Sequence, residues 1–170
     1  LAKAKGKPVE EMVVAVLDRP RHEQLIREIR EAGAGTELIL DGDVAGGINA
    51  ARHEPRIDMC AGIGGTPEGI ITACAIKSLG GVMQGRWYPR NEEERERAIA
   101  AGHDLDAVLS ADDLVKTDNC YFVATGVTDG GLVQGVRRVR DRIHTDSVVL
   151  RAHSGTLRRV IAEHLETKWL

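Results

Sequence analysis

Residues 57–71 read Ile57-Asp58-Met59-Cys60-Ala61-Gly62-Ile63-Gly64-Gly65-Thr66-Pro67-Glu68-Gly69-Ile70-Ile71, and this stretch decides the fold class. Residues 57–61 form an apolar run of strand length, 62–65 a glycine-rich turn, and 67–79 an apolar run of helical length. Pro67 suits a first helical turn, where its missing N–H costs nothing. The same order recurs twice upstream. Residues 12–17 are a β-branched strand ending at Asp18-Arg19-Pro20-Arg21-His22; Leu25, Ile26 and Ile29 then recur at helical spacing until Gly33 closes the helix. Residues 36–40 are a second strand, ending at Asp41-Gly42-Asp43 before a small-residue helix over 44–52. Strand, loop and helix three times over is the signature of a parallel α/β sheet with right-handed crossovers.

Further along, residues 82–87 read as a fourth strand, 91–101 as a charged surface helix ended by Gly102, and Asp112-Asp113 as a helix start. Residues 120–125 read as a strand ending at Gly126, and 132–136, 147–152 and 157–164 as antiparallel strands joined by short turns, one of them marked by Gly155. The expectation is one α/β domain over residues 1–170, a mixed but largely parallel sheet flanked by helices.

Composition narrows the function classes. A chain of 170 residues has room for one core. With 23 basic against 26 acidic side chains it lacks the basic excess of a nucleic-acid binder, and its rings (Trp87, Tyr88, Tyr121, Phe122 and Trp169) are too few for a base-stacking platform. The apolar runs are strand-sized, so no membrane partner is expected. Cys60, Cys74 and Cys120 are odd in number, lack metal-type spacing and sit in apolar stretches, which reads as reduced, buried small hydrophobes in a cytoplasmic protein without a signal peptide. The chain opens on Leu1 rather than methionine, the start of a processed chain or of the tail end of a longer one.

In open α/β sheets ligands bind beyond the carboxyl ends of the strands, so the three loops should share one rim. The glycines of residues 62–65 permit close backbone approach, and the following helix offers free N–H groups to an anion, with Thr66 as its expected N-cap. Glu68 stands at that helix mouth, either facing a ligand or neutralising its own helix dipole. The loop is a weak dinucleotide fingerprint and lacks the Lys-Ser/Thr of a phosphate-binding Walker loop. Arg19 and Arg21 flank Pro20 as two guanidinium forks suited to a phosphate dianion; as plain surface charge they would oppose the dipole of the helix they precede. Asp41 and Asp43 suit sugar hydroxyls or a metal, though Asp43 would also serve as an N-cap. His22 reads as a solvated histidine or a phosphate donor. His53, His103, His144, His153 and His164 show no ligand spacing and read as structural. No nucleophile set is visible. These residues point to an anion-binding domain for a phosphorylated polyol, with one carboxylate at the loop mouth, too few for a catalytic metal pair.

The same residues carry a family resemblance. Arg-Pro-Arg-His at 19–22, Asp-Gly-Asp-Val-Ala at 41–45, Gly-Ile-Gly-Gly-Thr-Pro-Glu-Gly at 62–69, Phe-Val-Ala-Thr-Gly-Val-Thr-Asp-Gly at 122–130 and Ser-Gly-Thr-Leu-Arg-Arg at 154–159 resemble the carboxyl-terminal half of class II fructose-1,6-bisphosphatases. The resemblance implies half of the layered α/β/α/β/α sandwich shared with inositol monophosphatases. It also implies hydrolysis of the 1-phosphate of fructose 1,6-bisphosphate in gluconeogenesis, with Mg²⁺ or Mn²⁺ as cofactor. By family pattern Glu68 would be a metal ligand, and Arg19, Pro20, Arg21, Asp41, Gly42, Asp43 and Gly65 would line the substrate site. Arg19 stands where many relatives have lysine. The family's Asp-Pro-Ile-Glu-Gly-Thr motif and its other acidic ligands have no counterpart here, so no catalytic residue is expected in this chain. Expected partners are a sugar bisphosphate, the absent amino-terminal half and further copies of the chain. Sedoheptulose 1,7-bisphosphatase activity, dual specificity and a non-catalytic sugar-phosphate-binding module are the alternatives.

Overall fold

The computed structural model describes residues 1–52 and 56–168. In chain order its first elements are α1 (Ala2–Lys5), β1 (Val13–Leu17), α2 (Glu23–Glu31), β2 (Gly35–Ile39), α3 (Asp43–Ala50), β3 (Met59–Cys60) and α4 (Thr66–Leu79). There follow β4 (Gln84–Gly85), α5 (Glu92–Ala100), β5 (Leu109–Ser110), α6 (Ala111–Leu114), β6 (Tyr121–Thr125), β7 (Arg137–Val139), β8 (Arg142–Arg151) and β9 (Thr156–Leu165).

β1 is the centre of a three-stranded parallel sheet of order β2-β1-β3. A central strand with helices on both faces has no solvent side, which is why its sequence is an unbroken Val-Val-Ala-Val-Leu and not an alternation. Val14, Ala15, Val16 and Leu17 are all buried. On one face α2 sets Ile26 and Ile29 against Val14 and Val16. α2 ends where Gly33 turns into the left-handed region at φ +94°, as its position in the sequence predicts.

α3 covers the other face and is wedged against α4. A Cβ on Gly47 would come within 2.9 Å of Thr72 Cγ2, and one on Gly46 within 3.0 Å of Ile39 Cδ1. The small-residue composition of α3 therefore sets the thickness of the middle layer. The far side of that layer packs on an antiparallel sheet, β6-β8-β7 with β9 beside β8. There Ile48 and Ala75 meet Phe122, Val148 and Leu150. Burying Phe122 and Leu150 is worth about 2–3 kcal/mol each by apolar area. Phe122 lies inside while its neighbours Tyr121 and Val123 remain exposed, the alternation of a sheet with one covered face. The layers thus run α2, parallel sheet, α3 with α4, antiparallel sheet.

The fold is mixed α/β with helix-flanked sheets, but the parallel and antiparallel strands occupy separate sheets and do not share one. Residues 82–87 contribute only β4, which pairs antiparallel with β5 and adds no parallel strand. Residues 132–136 are loop, not strand. Two of their backbone donors are taken by carboxylates, Gln134 N–H donating to Asp146 Oδ2 and Gly135 N–H to Asp129 Oδ1, both at 2.8 Å, while Val136 N–H donates to Val127 O. Strand pairing begins only at β7, which the reading of the sequence omitted. Asn91 caps α5, and Ser110 with Asp113 forms a capping box on α6, which explains the Asp112-Asp113 signal. Among the described residues no helix is long and apolar enough to cross a membrane.

Candidate functional site

Because β1, β2 and β3 are parallel, the loops that follow them leave the sheet at one end. The loop after β1 folds as a 3₁₀ turn, Pro20–His22. His22 is 1% exposed, and this settles its role. Ile63 N–H donates to its Nε2 at 2.8 Å, so Nε2 carries no proton; the ring proton sits on Nδ1 and is donated to Leu17 O at 2.9 Å. A Cβ on residue 62 would come within 3.2 Å of the His22 Cε1, so Gly62 is what lets the third loop lie against the ring. His22 is a buried bracket between the end of β1 and the third loop, not the solvated histidine or phosphate donor that its charged surroundings suggested.

Arg21 holds the same residue from outside: its Nε donates to Ile63 O at 2.9 Å. Both polar backbone groups of Ile63 are thereby fixed by the first loop. The Arg21 side chain is exposed, and this bond uses only Nε, leaving its terminal nitrogens for an anion. Arg19 turns instead to the carbonyl of Asp18 (2.9 Å). Asp18 N–H in turn donates to Ile39 O, tying the first loop to the end of β2.

In the second loop Gly42, at φ +80°, is the N-cap of α3, and Asp43 is its first residue. Asp43 therefore does not cap the helix; its Oδ1 accepts from Val44 N–H. Its Oδ2 lies 3.1 Å from where a Cβ on Gly64 would stand. Asp41 accepts from Gly42 N–H within its own loop. Below them, burial and then the Asp43 charge push the Cys60 thiol up to about 11.

In the third loop Gly65, not Thr66, is the N-cap of α4, and no side chain caps that end. Glu68 folds back until its Oε2 rests against Gly65, in space that a Cβ would need. Arg21, Asp43 and Glu68 thus meet the backbone of residues 63–65, while Arg19 and Asp41 bond inside their own loops. The result is an open rim. A cavity of about 560 Å³ lined by Arg86, Trp87, Tyr88, Arg90, Arg95 and Asp106 lies on other elements.

The rim sets Arg21, Asp43 and Glu68 beside uncapped helix N–H groups, with Arg19 and Asp41 on the same loops, a set suited to binding a polar anion. It does not make a metal centre by itself: no group of three or more His, Cys, Asp or Glu side chains able to hold a metal occurs among the described residues. Hard divalent cations need several oxygen ligands, so Glu68 would have to share one with other chain. His103 packs on Trp87, His144 lies 3.8 Å from Glu163, and His164 meets Thr145, all away from the rim. His53 and Trp169 lie outside the described residues.

Residues 1–164 match the family model described as bacterial fructose-1,6-bisphosphatase, glpX-encoded. The chain is 38% identical to a class 2 fructose-1,6-bisphosphatase of Haemophilus influenzae, over 96% of this chain and 53% of that protein. It is 37% identical to fructose-1,6-bisphosphatase 1 class 2 of Escherichia coli K12, with the same coverage. The chain spans about half the length of the curated relatives it matches.

Proposed function

The chain belongs to the bacterial, glpX-encoded fructose-1,6-bisphosphatase family, and on that premise we propose that it is the substrate-cradling part of a phosphoric monoester hydrolase that converts fructose 1,6-bisphosphate to fructose 6-phosphate in gluconeogenesis. The observation that carries this reading is the double grip on Ile63: one loop fixes the amide and carbonyl of another, and so holds Arg21 at a set place against the loop that leads into Gly65 and Glu68. In this reading the terminal nitrogens of Arg21, with Arg19 beside it, bind the phosphate that does not react. Pro20 fixes the spacing of the two arginines. Asp41, Gly42 and Asp43 face the sugar hydroxyls, and Gly65 gives the ligand close access to the start of α4.

Glu68 is proposed as one ligand of a bound Mg²⁺ or Mn²⁺, which would supply a polarised phosphoryl oxygen and an activated water. The remaining ligands are assigned to the part of the relatives that this chain does not match, and no catalytic residue is assigned here. The cytoplasm is the proposed compartment and self-association the proposed state; sedimentation of the full-length protein tests the latter.

Phosphate release is the decisive assay. With Mg²⁺ or Mn²⁺, these 170 residues alone should release no phosphate from fructose 1,6-bisphosphate above background; clear turnover would overturn the assignment of the missing ligands. In the full-length enzyme Arg21→Ala should raise KM roughly ten- to hundredfold with kcat little changed, because a remote phosphate contributes uniform binding worth about 1.5–3 kcal/mol. Glu68→Gln should instead shift the Mg²⁺ activation curve to higher metal. Equal turnover of sedoheptulose 1,7-bisphosphate would make the enzyme dual-specific.

A further inference from the structure

β9 is an edge strand. Among the described residues it pairs only with β8, so one side of its ten-residue backbone has no strand beyond it. Which groups that side presents follows from the rest of the sheet. Gly126 N–H donates to Asp146 O and Ala152 N–H to Cys120 O, so the even-numbered residues of β8 turn their backbone groups toward β6. Backbone direction alternates along a strand; the odd-numbered residues of β8 therefore bond to β9, where their partners are even-numbered. Leu157, Arg159, Ile161, Glu163 and Leu165 are left with N–H and C=O aimed at the open edge.

Open edges are commonly blunted by proline, a bulge or charges that repel a second strand. β9 has no proline, its register against β8 runs unbroken from Thr156 to Leu165, and its charges are of both signs. Leu157 and Ile161 stand on the face of the sheet that carries Val148 and Leu150, yet they remain 42% and 69% exposed, and Val160 on the other face is 47% exposed. We propose that β9 is an interface between two copies of this chain, joined edge to edge about a two-fold axis at Ile161 into one continuous antiparallel sheet. This gives the self-association proposed above a surface, and it does not depend on the substrate or the metal.

The sequence of β9 is complementary to itself in that register. With Ile161 opposite Ile161 of the second copy, Arg159 stands opposite Glu163, Leu157 opposite Leu165, Val160 opposite Ala162 and Arg158 opposite His164, each on both sides of the axis. The odd-numbered residues then meet as hydrogen-bonded pairs, which is what their outward backbone groups require. A shift of the axis by one residue loses the match: at Val160 it sets Arg159 against Ile161 and Leu157 against Glu163, and at Ala162 it sets Ile161 against Glu163. Arg159 is already held in place, its Nε and Nη2 donating to the buried Asp146, which leaves Nη1 for the carboxylate across the axis. The Glu163 side chain is 62% exposed and lies 3.8 Å from His144.

The test is sedimentation velocity of the 170-residue chain over a range of concentrations, together with hydrogen exchange of the β9 amides. Dimer should form as concentration rises, and the amides of Leu157, Arg159, Ile161, Glu163 and Leu165 should gain protection with it. Glu163→Arg, which sets an arginine against Arg159 on both sides of the axis, should raise the dimer dissociation constant at least about tenfold while keeping the circular dichroism of the parent. Ile161→Cys should form an interchain disulfide on mild oxidation, because opposite residues of a hydrogen-bonded pair stand about 5.5 Å apart at Cα. Leu157→Cys should not, since its two thiols would lie about 26 Å apart along the strands. A chain that stays monomeric, a dimer unmoved by Glu163→Arg, or a link as ready at residue 157 as at 161 would overturn the proposal. So would a full-length protein in which Ile161→Cys never links, because the edge would then be paired within one polypeptide. Phosphate release, which tests the proposed function, is read separately, so either reading can fail without the other.

Discussion

Replacing His22 by alanine removes a side chain that bonds both the end of β1 and residue 63. Two partners lose their bond: Leu17 O, which is buried, and Ile63 N–H, which is half-buried. An orphaned buried polar group costs about 1–3 kcal/mol, and a half-buried one falls at the low end of that range. The vacated ring volume adds about 1–2 kcal/mol, since the surrounding strand and turn relax only in part. The total is about 3–5 kcal/mol, a large share of the ~5–15 kcal/mol that holds a domain together. With a urea slope of about 2 kcal/mol/M, the midpoint of equilibrium unfolding should fall by about 2 M. Hydrogen exchange at the Ile63 amide reads the bracket directly and should become that of an open loop. A loss under about 1 kcal/mol with unchanged exchange at Ile63 would refute the argument, because both groups would then have found water without disturbing the loop.

Three other outcomes follow from single contacts. Gly65→Ala puts a methyl where Glu68 Oε2 now rests, so Glu68 must swing away; the full-length enzyme should need more Mg²⁺ for half activation, while Gly69→Ala, where a Cβ meets nothing within 4 Å, should not change that requirement. Asp58 is held at about 2, below its ordinary 3.8, chiefly by the Lys7 ammonium and further by Val13 N–H and Lys5. A depressed carboxyl stabilises the fold fully above its unfolded value, so about 2 kcal/mol should be lost as pH falls from ~4 to ~2. Urea midpoints across that window measure it, and Asp58→Asn should flatten it. Cys60, at about 11, should be alkylated by iodoacetamide only slowly at pH 7.5, faster as pH rises, and faster at neutral pH once Asp43→Asn removes the neighbouring charge. Rapid labelling of native Cys60 at pH 7.5 would contradict its burial.

The three strand–loop–helix units were legible because each rests on local rules. The unbroken run of β1 announces a central strand, the spacing of Leu25, Ile26 and Ile29 a helix face, and Gly33 its end. The resemblance of residues 19–22, 41–45 and 62–69 pointed to the family that the comparisons identify. Misreadings fell where a long-range contact overrides local preference: residues 132–136 have strand-like composition, yet Asp146 and Asp129 take the N–H groups of Gln134 and Gly135. Capping was misplaced by one residue in two loops: Gly42 enters α3 through the left-handed region at φ +80°, and Gly65 enters α4 from ordinary extended backbone with no side-chain cap, so the rule that favours Asp or Thr at the cap found neither.

Sequence alone determined the parallel α/β units and the loops that would carry charge, properties written in neighbours a few residues apart, together with the near-balance of 23 basic against 26 acidic side chains. Tertiary structure alone decided that His22 is buried between Leu17 and Ile63, 41 residues downstream, and that Glu68 lies on Gly65. The reason is physical. A hydrogen bond across such a separation has no periodicity to betray it, and it exists only once packing of the sheets on α3 and α4 has fixed where each loop begins.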